Sequence, residues 1–253
     1  MNSEAEEERE REKRERERER ERRERMSNQD QLKRKRSDDG GEGAAGVVLN
    51  EAEFDRIRDD LRRYDEQRER IIKTSRDVQK RSKQAIFSLH RKDFAGAKKQ
   101  LDSAEETALS LVDLVKAEPT LRGGSFSNAL EEYAEAKLFQ HYLQEGALLS
   151  MKDSLGHLVK NEEYLGGVLD FCGELNRFAV QRATARDEEK VKECRDLVEN
   201  IMAQYLKFDF RNSGLRRKYD GLKYTLKNLE TMLYELSLTH QGIKKTNVRV
   251  SEH

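Results

Sequence analysis

Apolar residues recur along this chain at the three- and four-residue steps of α-helices, and β-branched runs are few. With Pro119 as its single proline, the pattern predicts an all-α fold. Ile71, Ser75, Val78, Ser82, Ala85 and Leu89 step by four and three, the spacing of a packing seam, inside one long helix over residues 54–91. A second helix is expected over 94–116. Pro119 and the Gly123-Gly124 pair then break the chain before a helix over 126–151, with Ser125 or Ser127 as its N-cap. A short connection over 153–161 leads to helices over 164–182, 187–206 and 215–238.

Composition sharpens this picture at the ends. The chain has 253 residues, 40% of them charged and 35% hydrophobic, and Lys+Arg and Asp+Glu both number 50. The formal net charge of zero excludes nothing about partners, so only local clusters are informative. Residues 1–25 alternate Glu and Arg and cannot bury a core; they read as disordered or as a solvated single helix. Lys33, Arg34, Lys35 and Arg36 form a basic cluster that suits a nuclear localisation signal or a nucleic-acid tail. Next comes a Gly/Ala-rich linker over 38–46. The expected organisation is a charged tail over 1–48, a helical domain over 49–240 and a disordered tail over 241–253. Cys172 and Cys194 lack any zinc-like spacing, and Cys172 falls on an apolar helix side as a small core residue, so we expect a reducing compartment. No apolar run approaches the roughly 18 residues of a membrane span, so we expect a soluble protein of the cytoplasm and nucleus, with no membrane partner.

The candidate chemistry lies in two acidic pairs. At about 100° per residue, Glu132 and Glu135 share a helix side with Phe139 and Leu143, whereas Tyr133, Ala134 and Leu138 fall mostly opposite. Ionised carboxylates beside an apolar surface are costly unless a cation compensates them. Asp170 and Glu174 stand one turn apart on the 164–182 helix. We read these acids as converging on a divalent metal; the alternative is a set of surface acids and salt-bridge partners. Basic residues form two groups. Arg76, Lys80 and Lys83 make a stripe on the long helix, and Arg216, Arg217, Lys218 and Lys223 crowd around Tyr219 and Tyr224. Cations interleaved with aromatics suit single-stranded nucleic acid. The stripe reads equally as solvated surface, and Tyr219 as core. His90, His141 and His157 lie apart; His141 faces the Tyr133 side and reads as structural.

Assembled, these residues resemble the translin/Trax family over residues 54–238. Tyr64 to Arg91, with Ile-Ile-Lys-Thr-Ser-Arg-Asp-Val and Ile-Phe-Ser-Leu-His-Arg, is similar to the Trax branch. So are Glu-Tyr-Ala-Glu-Ala from Glu132 and Phe-Gln-His-Tyr from Phe139, and Asp170 stands where translins usually carry an aliphatic residue. Leu215 to Tyr224 looks translin-like instead, and the Trax insertion before the Asp170 helix is missing. The resemblance implies a translin-like seven-helix bundle with a long first helix. It implies a Mg²⁺-dependent endoribonuclease subunit, Mn²⁺ being the alternative ion, that joins a translin-like subunit in a roughly octameric shell; a homo-oligomer is the alternative. It places the catalytic acids at Glu132, Glu135 and Asp170, with Glu174 as a further metal-site acid. The substrate class implied is single-stranded RNA, from silencing passenger strands or transfer-RNA fragments. A non-catalytic translin-like protein binding single-stranded RNA or DNA is the competing reading, and a purely structural helical scaffold the third.

Overall fold

The computed structural model describes residues 49–211 and 213–240. Lys33, Arg34, Lys35 and Arg36, and the two expected tails over 1–48 and 241–253, lie outside the described residues. The chain divides after Asp55 into two units. Of the first, only 49–55 are described, where Asn50 Oδ1 accepts from the Glu53 amide at 3.3 Å. The second runs from Arg56 onward and holds the core.

Among the described residues the elements are helical: α1 (Glu51–His90), α2 (Phe94–Leu109), α3 (Val112–Ala117), a 3₁₀ turn (Pro119–Arg122), α4 (Ser125–Glu145), a π-helical turn (Met151–Leu155), α5 (Asn161–Thr184), α6 (Glu188–Tyr205) and α7 (Gly214–His240). The six expected seam positions of α1, Ile71 to Leu89, are all buried, together with Ile86. From Arg56 to Arg70, by contrast, α1 is exposed except for partial cover at Tyr64 and Gln67.

Beyond shifts of a few residues at other helix ends, three boundaries differ from expectation for a local reason. The helix expected over 94–116 divides at Ser110, whose hydroxyl folds back onto the Thr107 carbonyl at 2.7 Å while Leu111 drops into the core. The helix expected over 126–151 ends at Glu145. Gly146 there takes the left-handed conformation (φ 71°), its amide closing the last turn on Tyr142 O at 2.9 Å. Neither Ser125 nor Ser127 caps that helix. The cap position is Gly124, whose φ of 69° only glycine adopts readily.

The two-sided pattern assigned to 130–143 is also replaced. Helix α4 is wrapped on nearly every side, burying Tyr133, Ala134, Glu135, Ala136, Leu138 and Phe139 together. Tyr133 places its hydroxyl on Glu105 at 2.6 Å, which in turn meets His157 at 2.9 Å. Helix α5 lies against α4, tightly so at Gly167: a Cβ there would stand 2.9 Å from Ala134 Cβ and Glu131 O and 3.0 Å from Glu135 N. The start of α5 is tied down by a buried ion pair. Arg122 grips Glu163 through two contacts of 3.1 and 2.6 Å and also reaches Leu158 O at 2.9 Å. Helix α7 packs on α5 and α6 through Leu222, Leu229 and Leu236, buried at seven-residue steps. Both thiols are free and buried; burial pushes Cys172 up to about 12 and Cys194 up to about 11. No helix among the described residues is long and apolar enough to cross a membrane.

Because the atoms facing Gly167 are main chain and the rigidly placed Cβ of Ala134, they cannot swing aside. We expect Gly167→Ala to destabilise the protein by about 2–3 kcal/mol in urea unfolding, the scale of overpacking a tight contact. A loss below about 0.5 kcal/mol would mean that α4 and α5 are not held at this separation.

Candidate functional site

The α4–α5 contact brings the two acidic pairs to one place. Three residues apart on α4, Glu132 and Glu135 line a cavity of about 690 Å³ together with Asp170 and Glu174 of α5. Lys83, Ile86 and Phe87 of α1 and Lys218 and Leu222 of α7 complete its walls. The four acids named from spacing are therefore neighbours around one space, although Asp170 is far from Glu132 in sequence.

Their surroundings differ. Glu132 meets Lys83 at 3.2 Å and Gln79 at 3.5 Å. That lysine is 61% exposed, so the pair holds loosely, on the order of 1 kcal/mol or less. Asp170 is ion-paired with Lys218, which also bonds Glu131. Glu174 is bonded to the buried His90, and Arg177 lies 3.7 Å away. Glu135 is the exception among the four: it is buried and no described side chain hydrogen-bonds or ion-pairs with it. Burial first, then the negative charges of Asp170, Glu132 and Glu174, push its carboxyl up to about 9, against a weaker opposing pull from Lys218. Glu131 is also raised, by burial, with Lys218 acting in the opposite direction. Burial lowers Lys218, but its bonds to Asp170 and Glu131 outweigh that, and the ammonium is firmly held in its charged form.

The donor set fits a hard cation. Mg²⁺ and Mn²⁺ take carboxylate oxygens and retain several waters, and a buried acid crowded by other acids is the setting a positive charge would relieve. The fit is one of chemistry and location, not of a finished cage. Among the described residues no three acid, histidine or cysteine side chains stand close enough to grip an ion as they lie. The expected convergence is thus a shared cavity in which lysines answer some of the acids.

The basic residues divide in a way their spacing does not show. Arg76 and Lys80 are exposed on α1, and Arg217 is exposed on α7, each without an ion pair among the described residues. Lys223 is exposed and lies 5.0 Å above the Tyr224 ring. Arg216 is engaged by Asp220 at 3.0 Å. Lys83 and Lys218, grouped by sequence with the nucleic-acid contacts, are ion-paired with Glu132 and Asp170 of the cavity. Tyr219 is half-buried and stacks on Tyr205 at 6.1 Å, so it belongs to the packing; Tyr224 remains open to solvent. His141 is half-exposed and does not line the cavity. Sequence reasoning passed over Glu131 and gave His90 no role. Glu131 had one signal, its place four residues before Glu135; His90 had none, because its partner lies 84 residues away.

Known proteins match this chain along the same helices. The translin family model matches residues 66–240. The chain is 29% identical to the translin-associated protein X homolog of Schizosaccharomyces pombe, over 79% of this chain and 94% of that one. To the translin-associated protein X of Rattus norvegicus it is 26% identical, over 70% and 74%. The translin of Gallus gallus is 36% identical, but only over 33% of this chain and 36% of its own. Among solved structures, apo-NeC3PO superposes with a TM-score of 0.66 at 24% identity, covering 76% of this chain and 100% of that one. The AfC3PO–duplex RNA complex superposes with a TM-score of 0.67 at 21% identity, covering 75% and 98%. These superpositions establish the fold, and with the family pattern spanning the helices that carry the acids, the chain belongs to the translin family.

Proposed function

We propose that this chain is a metal-dependent endoribonuclease subunit, of the Trax type, working within a translin-family oligomer on single-stranded RNA. The observation that carries the reading is the cavity in which Glu132, Glu135, Asp170 and Glu174 meet, with Glu135 buried and unanswered by any described cation contact. Similarity to translin-associated protein X over nearly the whole length of the yeast relative supports it. So does the structural neighbour AfC3PO, which was solved as a complex with duplex RNA.

In this reading Glu132, Glu135 and Asp170 hold Mg²⁺, or Mn²⁺ in its stead. Bound there, the ion supplies Lewis-acid activation of water and stabilises charge at phosphorus. The chain's own groups do the rest. His90 fixes the carboxylate of Glu174. Lys83 and Lys218 line the same cavity and bring positive charge to where a phosphodiester must enter. Arg76 and Lys80, exposed and without an ion pair among the described residues, suit the flanking phosphates. The partner proposed is a translin-like subunit in a hetero-octamer, a homo-oligomer being the alternative. Ile57 and Leu61, exposed on α1, suit burial in such an assembly.

A second reading, a non-catalytic protein binding single-stranded RNA or DNA, is favoured by one feature: Lys218 already occupies Asp170 and Glu131. Metal dependence separates the two. Asp170→Asn is expected to lower Mg²⁺-dependent cleavage of single-stranded RNA by about 100-fold or more, since loss of a group that merely supports a metal ligand already costs about 10–100-fold. Native mass should be unchanged. Full activity in this variant removes the site assignment, and RNA binding that survives EDTA without cleavage in any metal supports the second reading.

The buried acid gives an independent test on stability. Unfolded, Glu135 titrates near 4.5; folded, it keeps its proton up to about 9. The folded chain therefore binds the proton more tightly, and this group's contribution is full below about 4.5 and lost as pH rises towards 9. In EDTA, the melting temperature should fall between pH 6 and pH 8.5, and Glu135→Gln should flatten that fall. Adding Mg²⁺ at pH 8 should stabilise the unaltered protein and not the variant. An identical Mg²⁺ response in both would remove Glu135 from the ion's ligands.

A further inference from the structure

A second cavity, about 830 Å³ in volume, adjoins the carboxylate cavity, and Lys218 lines both. The two share a wall on α4 as well, since Glu131 faces this space while the next residue, Glu132, faces the other. Its floor is aromatic. Phe208 and Phe210, in the connection between α6 and α7, stack with ring centroids 5.2 Å apart and planes 14° from parallel. Behind them Tyr205 lies 5.8 Å from each ring and is itself nearly fully buried, which anchors the stack to the core. Phe208 nonetheless remains 48% exposed. Polar groups are supplied by Ser127 and Asn128 of α4 and cations by Arg211 and Arg217, the latter without an ion pair among the described residues; Glu162 and Asp209 also border the space.

We propose that this second cavity is a nucleobase subsite: it receives one unstacked base of a bound single strand, next to the nucleotide whose phosphate reaches the carboxylates. The inference rests on the proposed binding of single-stranded RNA and adds to it where the strand runs and what holds it. Phe208 has a ring face covered by Phe210 and surface left open, the arrangement of a stacking platform. Asn128 offers both a donor and an acceptor to a base edge. Arg217 is placed for a phosphate, and Lys218 stands where the strand would pass from one cavity to the other. The volume lies within the range of small-ligand pockets and exceeds what one base fills, leaving space for its sugar.

The test uses the full chain in its native assembly, in EDTA so that RNA is bound and not cut. The probes are single-stranded RNA oligonucleotides carrying one abasic site, moved stepwise along the strand, with affinity read by fluorescence anisotropy. We expect an abasic site at one position to weaken binding about tenfold, the scale of one base stacked on an aromatic ring. Phe208→Ala should weaken the intact strand by a similar factor and abolish the position-dependent penalty, while Phe208→Tyr should retain both. Arg217→Gln, at an exposed position that leaves the aromatic packing intact, should weaken all strands alike and lower the salt slope by about one. RNA binding and Mg²⁺-dependent cleavage that persist while Phe208→Ala leaves the abasic penalty intact would overturn the subsite alone. A changed native mass in Phe208→Ala with unchanged RNA affinity would also overturn it, since the ring would then face another subunit. No RNA binding by the unaltered assembly would overturn both this proposal and the reading on which it rests.

Discussion

Helices α4 and α5 meet at Gly167 with no room for a methyl group between that residue and the main chain of Glu131 and Glu135. The architecture of the acidic cavity depends on this contact. The preceding Gly166 makes space in the same way for the Glu131 carboxylate. Bringing the two helices together at these glycines also brings together the acids just beyond them on each, Glu132 and Glu135 on one side, Asp170 and Glu174 on the other. Larger residues would separate the helices, and the carboxylates would face solvent as ordinary surface charges. The adjacent Arg122–Glu163 pair fixes the first turn of α5, so its register against α4 is set by a buried charge as well as by packing.

Crowding acids in this way sets up an electrostatic problem that the fold resolves unevenly. Glu132, Asp170 and Glu174 each receive a partner from elsewhere, from Lys83, Lys218 and His90. Those partners differ in strength. A largely exposed lysine is a loose counter-ion, whereas Lys218 is held by two carboxylates against the cost of its burial. Among the described residues Glu135 receives none, and the proton it retains substitutes for a cation. A core arranged for stability alone would replace such a residue with an apolar one of similar volume, because buried ionisable groups seldom strengthen a fold. Its presence is not accounted for by stability.

Much of this was legible in the sequence. The four-and-three stepping from Ile71 to Leu89 located the buried seam of α1 without error, because a seam is a local periodicity. Asp170 and Glu174, one turn apart, are likewise a local fact. What lay beyond reach was set by distant pairings. Lys218 looked like part of a basic patch beside Arg216 and Arg217, and its partners are 87 and 48 residues away. Burial on nearly every side of α4 was hidden too, since its small and polar residues obscure any single apolar face. The division at Ser110 depends on one hydroxyl choosing a carbonyl within its own turn, a choice that propensity does not reveal. The aromatic pair Phe208 and Phe210 falls outside every helix, where periodicity gives no guidance.

The two sealed thiols have a practical consequence. Cys172 has no measurable surface and Cys194 sits against the Tyr142 hydroxyl at 3.3 Å. Neither is a thiolate at neutral pH, and neither meets a reagent in solution while the core is closed. Alkylation of either sulfur would therefore count openings of the helical core around α5 and α6, one event at a time. The protein carries its own clock for native-state breathing, and no label has to be engineered to read it.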